Sequence, residues 1–569
     1  MRLLQHNRGE KGSGTGMDQQ PCLVGRRAVR LALVLSCLVL FTHGGHANAL
    51  GHEPRPLSLR LRARVPISDA VGQYQVVERA ASWAPEQTAF IVCDMWDLHH
   101  CLNAVRRAEE MAPRMDQVLK YARERGVQII HAPSGCMDTY KDHPARLRAI
   151  ATPKAGNLPA GIGQWCYKIP SEEQGAYPID QANGGEDDDP AEHAAWAEKL
   201  EKMGRNPKAP WKSQMKRLTI DPDRDLISDQ GEEIWSILEA RGIKNVVLMG
   251  VHLNMCVLGR PFGLRQMAKN GRNVVLVRDL TDTMYDPTQA PFVSHFSGTD
   301  LMVEHVEKFV CPSITSDQFL GGTPSRFSGD KRPHLVFVIA EDEYRTELSL
   351  PAFIAQEKLL HQYHVSYVLD SGEDRNVLPG LGILKQADAL FVSVRRRVLP
   401  EEQVKELQSF VVSGKPVLGI RTASHAFAAS AKQAVPSGHV SWTRFDPEVL
   451  GGNYQGHHKA GPKVEITRPN GAGEHPILRE VNVPKLTGFG SLYKVSPLAS
   501  TTQVLLTGAI PDHAAEPVAW VNTPSSGARV FYTSLGHRDD FALADFNRLL
   551  HNAIDWAIGG AESSAAGAR

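Results

Sequence analysis

A carboxylate and a thiol at the ends of two apolar runs carry the chemistry most legible in this chain. Asp94 closes the run in TAFIVCDMWDL (residues 88–98), and Cys256 follows the run in VVLMGVHLNMCVLGRPFGLRQMAKNGRNVVLVRDL (residues 246–280). An aspartate beside a thiol takes its proton as the sulfur attacks a carbonyl carbon, then passes that proton to the leaving amine. Two residues thereby supply a general base, a nucleophile and a general acid. Either residue alone says little, because aspartates at strand ends commonly cap turns and buried cysteines are usually inert packing. The signal lies in the pair.

For the two groups to meet, their strands must end on one edge of one sheet. Apolar strand runs at residues 89–93, 127–131, 245–250 and 273–278 alternate with helical patterns at 108–125 and 232–241. Such alternation predicts a parallel sheet covered on both faces. It places Cys256 at a helix N-terminus beyond the carboxyl end of a strand, where open α/β sheets bind ligands. Backbone N–H groups and the helix dipole are expected to lower the thiol pKa there and to stabilise an oxyanion. Cys93, next to Asp94, is expected to be turned to the opposite sheet face by strand alternation.

A second block repeats the style, with strand runs at 335–340, 366–369, 389–394, 416–420 and 529–533 and helical patterns at 401–412 and 546–556. The turn-rich stretch GGTPSRFSGDKRP (residues 321–333) separates the blocks. The expected organisation is a first domain at 85–320, a linker at 321–332 and a second domain at 333–560. Within the first domain, residues 136–214 form an insertion long enough to act as a lid. Its acidic run GGEDDDP (residues 184–190) reads as a solvated loop.

The N-terminus carries a leader pattern: Arg26, Arg27 and Arg30, an apolar run at 31–41, then Ala47-Asn48-Ala49. This reads as a signal peptide over residues 1–49, cleaved after Ala49, and implies a periplasmic or secreted protein. The apolar run falls well short of the roughly 20 residues a membrane span needs, so no stable span is expected after cleavage. Lysine plus arginine and aspartate plus glutamate balance at 63 each, which gives no field to hold the chain on nucleic acid. A small molecule is the expected partner, and a homo-oligomer stays open. Of eight cysteines, two lie in the leader, leaving six that all precede residue 312.

The segments AFIVCDMWD and GVHLNMCV resemble the first strand and the cysteine turn of isochorismatase/nicotinamidase-like cysteine hydrolases, over residues 85–317. The resemblance implies a three-layer α/β fold, an Asp-Lys-Cys constellation and a thioester intermediate. It also implies a non-proline cis peptide at Val251-His252 and substrate contacts from His252 and Asn254. The family's lysine falls in WKSQMKRLTIDPDRDLISDQG (residues 211–231), where Lys216 is the candidate and a site without lysine is the alternative. His131, Asp138 and His143 do not reproduce the family's metal-ligand spacing, and His99, His100 and Cys101 read as structural. No metal and no cofactor are called for.

In the second block GKPVLGIRTASHAF (residues 414–427) runs from a strand into the turn where class I glutamine amidotransferases carry a cysteine, and none is present. Together with GEHPI, GARVFYTSLGHRDDF and FNRLLHNAIDWAIG, it resembles the ThuA-like (trehalose-utilisation) family over residues 332–560. His425 and His537 are its candidate binding residues, with Tyr493 and His457 as neighbours. The expected fold is therefore α/β: two three-layer domains with mainly parallel sheets, isochorismatase-like and then flavodoxin/amidotransferase-like. The expected function is hydrolysis of a C–N or related bond, with a non-catalytic small-molecule or carbohydrate-binding protein as the alternative.

Overall fold

The computed structural model describes residues 55–67, 72–370, 372, 374–469 and 474–559. The leader and its cleavage site lie outside them. Among the described residues no helix is long and apolar enough to cross a membrane.

The first domain is built on an eight-stranded sheet in the order β2-β1-β8-β7-β6-β3-β4-β5. Its strands are β1 (Leu57–Pro66), β2 (Tyr74–Trp83), β3 (Thr88–Cys93), β4 (Gln128–Ala132), β5 (Leu226–Ile227), β6 (Asn245–Val251), β7 (Asn273–Asp282) and β8 (Ser313–Ile314). From β8 to β5 all neighbours are parallel, and the β1–β2 hairpin adds antiparallel against β8. Every residue of β3, β4 and β6 is buried. That is why these strands read as continuous apolar runs rather than alternating ones. Their side chains divide between two apolar clusters, one containing Ile91, Leu248 and Cys256 and the other Phe90, Val247 and Met115. These are the two faces of a three-layer domain.

The sheet begins at Leu57, ahead of residue 85 where the expected domain starts. In LSLRLRARVP, Leu57, Leu59 and Leu61 point into the core, with Ser58, Arg60 and Arg62 less buried between them. This period-two pattern marks a half-buried strand. Val76 of β2 packs into the core of the second domain, beside Leu350 and Phe353.

The second domain holds β9 (His334–Ala340), β10 (His364–Leu369), β11 (Ala389–Val394), β13 (Val417–Ile420), β15 (Val464–Thr467), β16 (Thr487–Gly488), β17 (Thr502–Ala509), β18 (Glu516–Asn522) and β19 (Val530–Thr533). Two short strands, β12 (Leu399–Pro400) and β14 (His439–Val440), pair separately. The main sheet runs β10-β9-β11-β13-β19-β18-β17-β15-β16. Its first five strands are parallel and the rest antiparallel. The fold is thus α/β with sheets of mainly parallel strands, as expected.

Candidate functional site

Asp94 sits just past β3 with φ of 47°, a left-handed conformation that ends strand alternation at that residue. Its carboxylate is fully buried and held from two sides. Oδ1 accepts the Ser134 backbone N–H at 2.7 Å, and Oδ2 accepts Arg260 Nε at 2.9 Å. The Cys256 thiol lies near enough to the same carboxyl group for each to perturb the other's proton affinity. β6 approaches β3 closely at Gly250, where φ is +116° and an added Cβ would lie 2.0 Å from the Cys93 carbonyl oxygen. Only glycine permits that approach.

Cys256 belongs to a single wide helical turn, Leu253–Val257. The expected longer helix is interrupted, because Pro261 has no N–H to donate, and it resumes only at Leu264–Lys269. The dipole expected at a helix N-terminus is therefore that of little more than one turn. Burial pushes the Cys256 thiol up, and the Asp94 charge adds to this, while Arg260 and the His252 backbone N–H oppose it. The surroundings thus favour the neutral thiol, against the lowered pKa expected at a helix N-terminus. Burial also raises the Asp94 pKa, with Arg260 as the main counterweight.

The cation beside the pair is Arg260. Its backbone N–H bonds the Cys256 carbonyl at 3.0 Å, so it lies one turn on, and its guanidinium is 5.3 Å from the Trp165 ring centroid. Lys216 is exposed, and neither an ion pair nor a hydrogen bond joins it to Asp94 or Cys256. The residues around it serve structure: Met215 N–H bonds the Met95 carbonyl, and Gln214 Oε1 meets His131 Nδ1 at 3.0 Å. Arg260 was legible only as the residue four positions beyond the cysteine, the spacing that shares a helix face.

His252 follows a cis peptide at Val251-His252, the bond that the family resemblance implied. Its ring is buried, Nε2 has no partner, and burial brings its pKa down to about 3. A neutral imidazole with an unused nitrogen thus stands next to the cysteine turn, 4.9 Å from the His99 ring centroid. Asn254 spends its amide on the protein: Nδ2 donates to Gln181 Oε1 and the Met284 carbonyl, and Oδ1 accepts the Met284 N–H. Cys93 differs from expectation. It shares an apolar cluster with Cys256, and its thiol is raised by burial, then by the charges of Asp94 and Cys256.

The insertion covers this edge. Cys166 N–H bonds the Gly259 carbonyl at 2.7 Å, and Trp165 lies so close to Gly259 that a Cβ there would be 2.4 Å from its ring. Glu172 is clamped by Arg265 at 2.7 Å and by His305 at 3.0 Å. Tyr167, Lys168, Tyr177, Met255 and Arg265 line an adjoining cavity of about 630 Å³.

The acidic run is not a solvated loop. Asp187 pairs with Arg107 and His295, Asp188 accepts the N–H groups of Leu102 and Asn103, and Asp189 caps the helix Pro190–Lys202. Cys101, Asp187 and Asp188 bring metal-ligand atoms together, but these existing bonds already engage both carboxylates. His131 and His143 are likewise engaged, with Asp225 at 3.0 Å and the Ala145 N–H at 3.2 Å.

In the second domain the residue just past β13 is Arg421, with φ of 47°. Its buried guanidinium donates to the Ser491 and Ser534 carbonyls and to Tyr344 Oη, and it lies over the rings of Tyr344 and Tyr493. His425 stacks on Tyr454 at 4.4 Å and lies 6.0 Å from Tyr493, while His537 meets Tyr344 edge-on at 5.6 Å. The two histidines therefore flank one aromatic cluster centred on Arg421. His457 bridges Tyr493 through a β-pair and is exposed. Burial and nearby arginines bring His425 down to about 3.

Residues 335–557 match the ThuA family model, described as Trehalose utilisation. No curated protein sequence matches the chain. A thua-like protein from Bacteroides uniformis is similar at 16% identity and TM-score 0.32, over 42% of this chain and 98% of that one. A cysteine hydrolase from Pseudomonas syringae pv. phaseolicola is similar at 14% identity and TM-score 0.25, over 42% and 92%. An isochorismatase family protein from Burkholderia thailandensis is similar at 15% identity and TM-score 0.23, over 41% and 93%.

Proposed function

We propose that the first domain is a cysteine hydrolase of a C–N (amide-type) or related bond in a small molecule, attached to a ThuA-like domain. The observation that carries this reading is the buried junction of Asp94, Cys256 and Arg260. Asp94, kept ionised by Arg260, takes the thiol proton as Cys256 Sγ bonds to the substrate carbonyl carbon. The C–N bond then breaks, Asp94 hands its proton to the departing nitrogen, and a thioester remains. Water, deprotonated by the same carboxylate, attacks the thioester and restores the thiol. Burial favours the neutral thiol, so nucleophile formation is coupled to attack, which limits reaction with adventitious electrophiles.

The test is ammonia release from a panel of primary amides and ureido acids. A signal from the wild type that Cys256→Ala abolishes, and that Asp94→Asn lowers at least about 10³-fold, is the expected result. A panel in which wild type and Cys256→Ala do not differ overturns the reading. Alkylation by iodoacetamide adds a second readout, with Cys256 slowed in Asp94→Asn. Cys311, buried in the same apolar cluster, is the comparator, because Cys93 lies too near the pair.

Binding without turnover is the second reading, favoured by one observation: both Asp94 oxygens are already occupied and the thiol is nearly enclosed, at 8% exposure. In the second domain, the tyrosines with His425 and His537 offer stacking faces and hydrogen-bonding groups of the kind that suit carbohydrate hydroxyls. Export is part of the proposal. Mass spectrometry of the protein from its native host is expected to find Leu50 as the first residue, and a mature chain that begins earlier would sink it.

A further inference from the structure

Where β7 and β8 face the second domain, a partly open cavity of about 120 Å³ lies between the two halves. For scale, an engineered apolar cavity of about 150 Å³ holds benzene. Phe296, Phe327, Val365 and Ile383 form its apolar wall, and Arg278 and Thr299 face it with polar groups.

The arginines around it are ion-paired with one exception. Arg62 and Arg64 bind Glu307, Arg332 binds Asp300 and Asp330, and Arg326 binds Asp330. Asp279 accepts from Ser316 and Ser325. Arg278 makes no ion pair, though the charges of Glu307, Glu78 and Asp279 act on it at longer range, and its single hydrogen bond runs from Nη1 to Ser313 Oγ at 3.1 Å. Burial, followed by repulsion from Arg62, brings its guanidinium down to about 10. Thr299 Oγ1 is also buried without a partner, in a residue only 8% exposed. A guanidinium with four unused N–H donors and an orphaned hydroxyl, lining one cavity together with apolar side chains, match an anion of mixed character.

We propose that this cavity binds a small monocarboxylate with a short apolar body, its carboxylate on Arg278 and the Thr299 hydroxyl and its body against Phe296, Val365 and Ile383. Carboxylate is preferred to phosphate because half of the wall offers nothing to a fully hydrated oxyanion. The site is separate from Cys256 and independent of the hydrolase reading.

The experiment is a thermal-shift and calorimetric titration of the full chain with benzoate, butyrate, benzamide and inorganic phosphate. Benzoate or butyrate is expected to raise Tm and to bind, benzamide and phosphate not to. Arg278→Met is expected to weaken the carboxylate at least tenfold, and Thr299→Val, at unchanged volume, severalfold. No response to either carboxylate overturns the proposal. So does phosphate or benzamide binding as well as benzoate, or Arg278→Met binding like wild type. If Arg278→Met does not fold, Thr299→Val decides, and unaltered benzoate affinity in it overturns the proposal.

Discussion

Arg260→Met is expected to be both destabilised and catalytically crippled. Its partner Asp94 is fully buried, and removing one member of such a pair leaves the other charge without compensation, at a cost of about 3–5 kcal/mol. Part of that cost is avoided if Asp94 picks up a proton. Burial already raises its pKa, and Arg260 is the largest force against the rise, so without Arg260 the carboxyl group stays protonated to higher pH. A protonated Asp94 cannot accept the thiol proton. Turnover of any amide that the wild type hydrolyses should therefore fall by about 10²–10³ near neutrality, and its acid limb should move to higher pH. Arg260→Lys keeps a cation and should recover part of the rate, which separates charge from packing. Turnover in Arg260→Met within a few-fold of wild type, with an unmoved pH profile, would show that the arginine is not the working cation.

The second large effect concerns the lid. Hydrogen bonds from His305 and Arg265, and the Arg265 charge, outweigh burial and hold Glu172 down to about 2, from an ordinary value of 4.5. The sign follows from linkage. A depressed carboxyl pKa contributes stability that is full above the unfolded value and is lost as pH falls from about 4.5 through 2. Amide protection factors over residues 166–181, corrected for the intrinsic exchange rate at each pH, are accordingly expected to be high at pH 6 and to fall at pH 3, before those of the buried strands β3 and β6 respond. Arg265→Met should open the same segment already at pH 6, because it strands a buried carboxylate. Uniform exchange across lid and sheet at both pH values would mean that the insertion is not an independent cover.

The sequence was most informative where local pattern and burial agree. β3 and β6 are enclosed on both faces, so their apolar runs marked both strands to within a residue or two, and with them the shared edge that brings Asp94 to Cys256. It was least informative where a side chain acts at long range. Arg260 looks like an ordinary basic residue in GRPFG, and nothing in that pentapeptide says that it reaches a carboxylate 166 positions earlier. Cys93 was misassigned because alternation was extended through Asp94, whose positive φ breaks it. The β1–β2 hairpin left a visible period-two signal, yet it stands too far from the other strand runs to be joined to them by spacing. The role of Asp188 depends on a helix start some 85 residues away, and that of Asp187 on Arg107 and His295, so composition alone suggested solvent.

The same hairpin sets how the molecule can be divided. β1 completes the sheet of the first half, while Val76 of β2 is seated in the core of the second, and Arg64 of β1 lies 5.7 Å from the Tyr367 ring centroid. Ser297 and Asp300 add bonds to His361 and to Arg332 at the start of the second half. A segment that comes first in the chain is thus a shared structural part of both halves. Cutting at the linker yields neither half intact: the front piece would expose Val76, and the rear piece would keep an empty seat for it. The two halves are therefore parts of one compact folding unit rather than two interchangeable cassettes, and exchanging either half at the boundary is expected to cost stability before any question of activity arises.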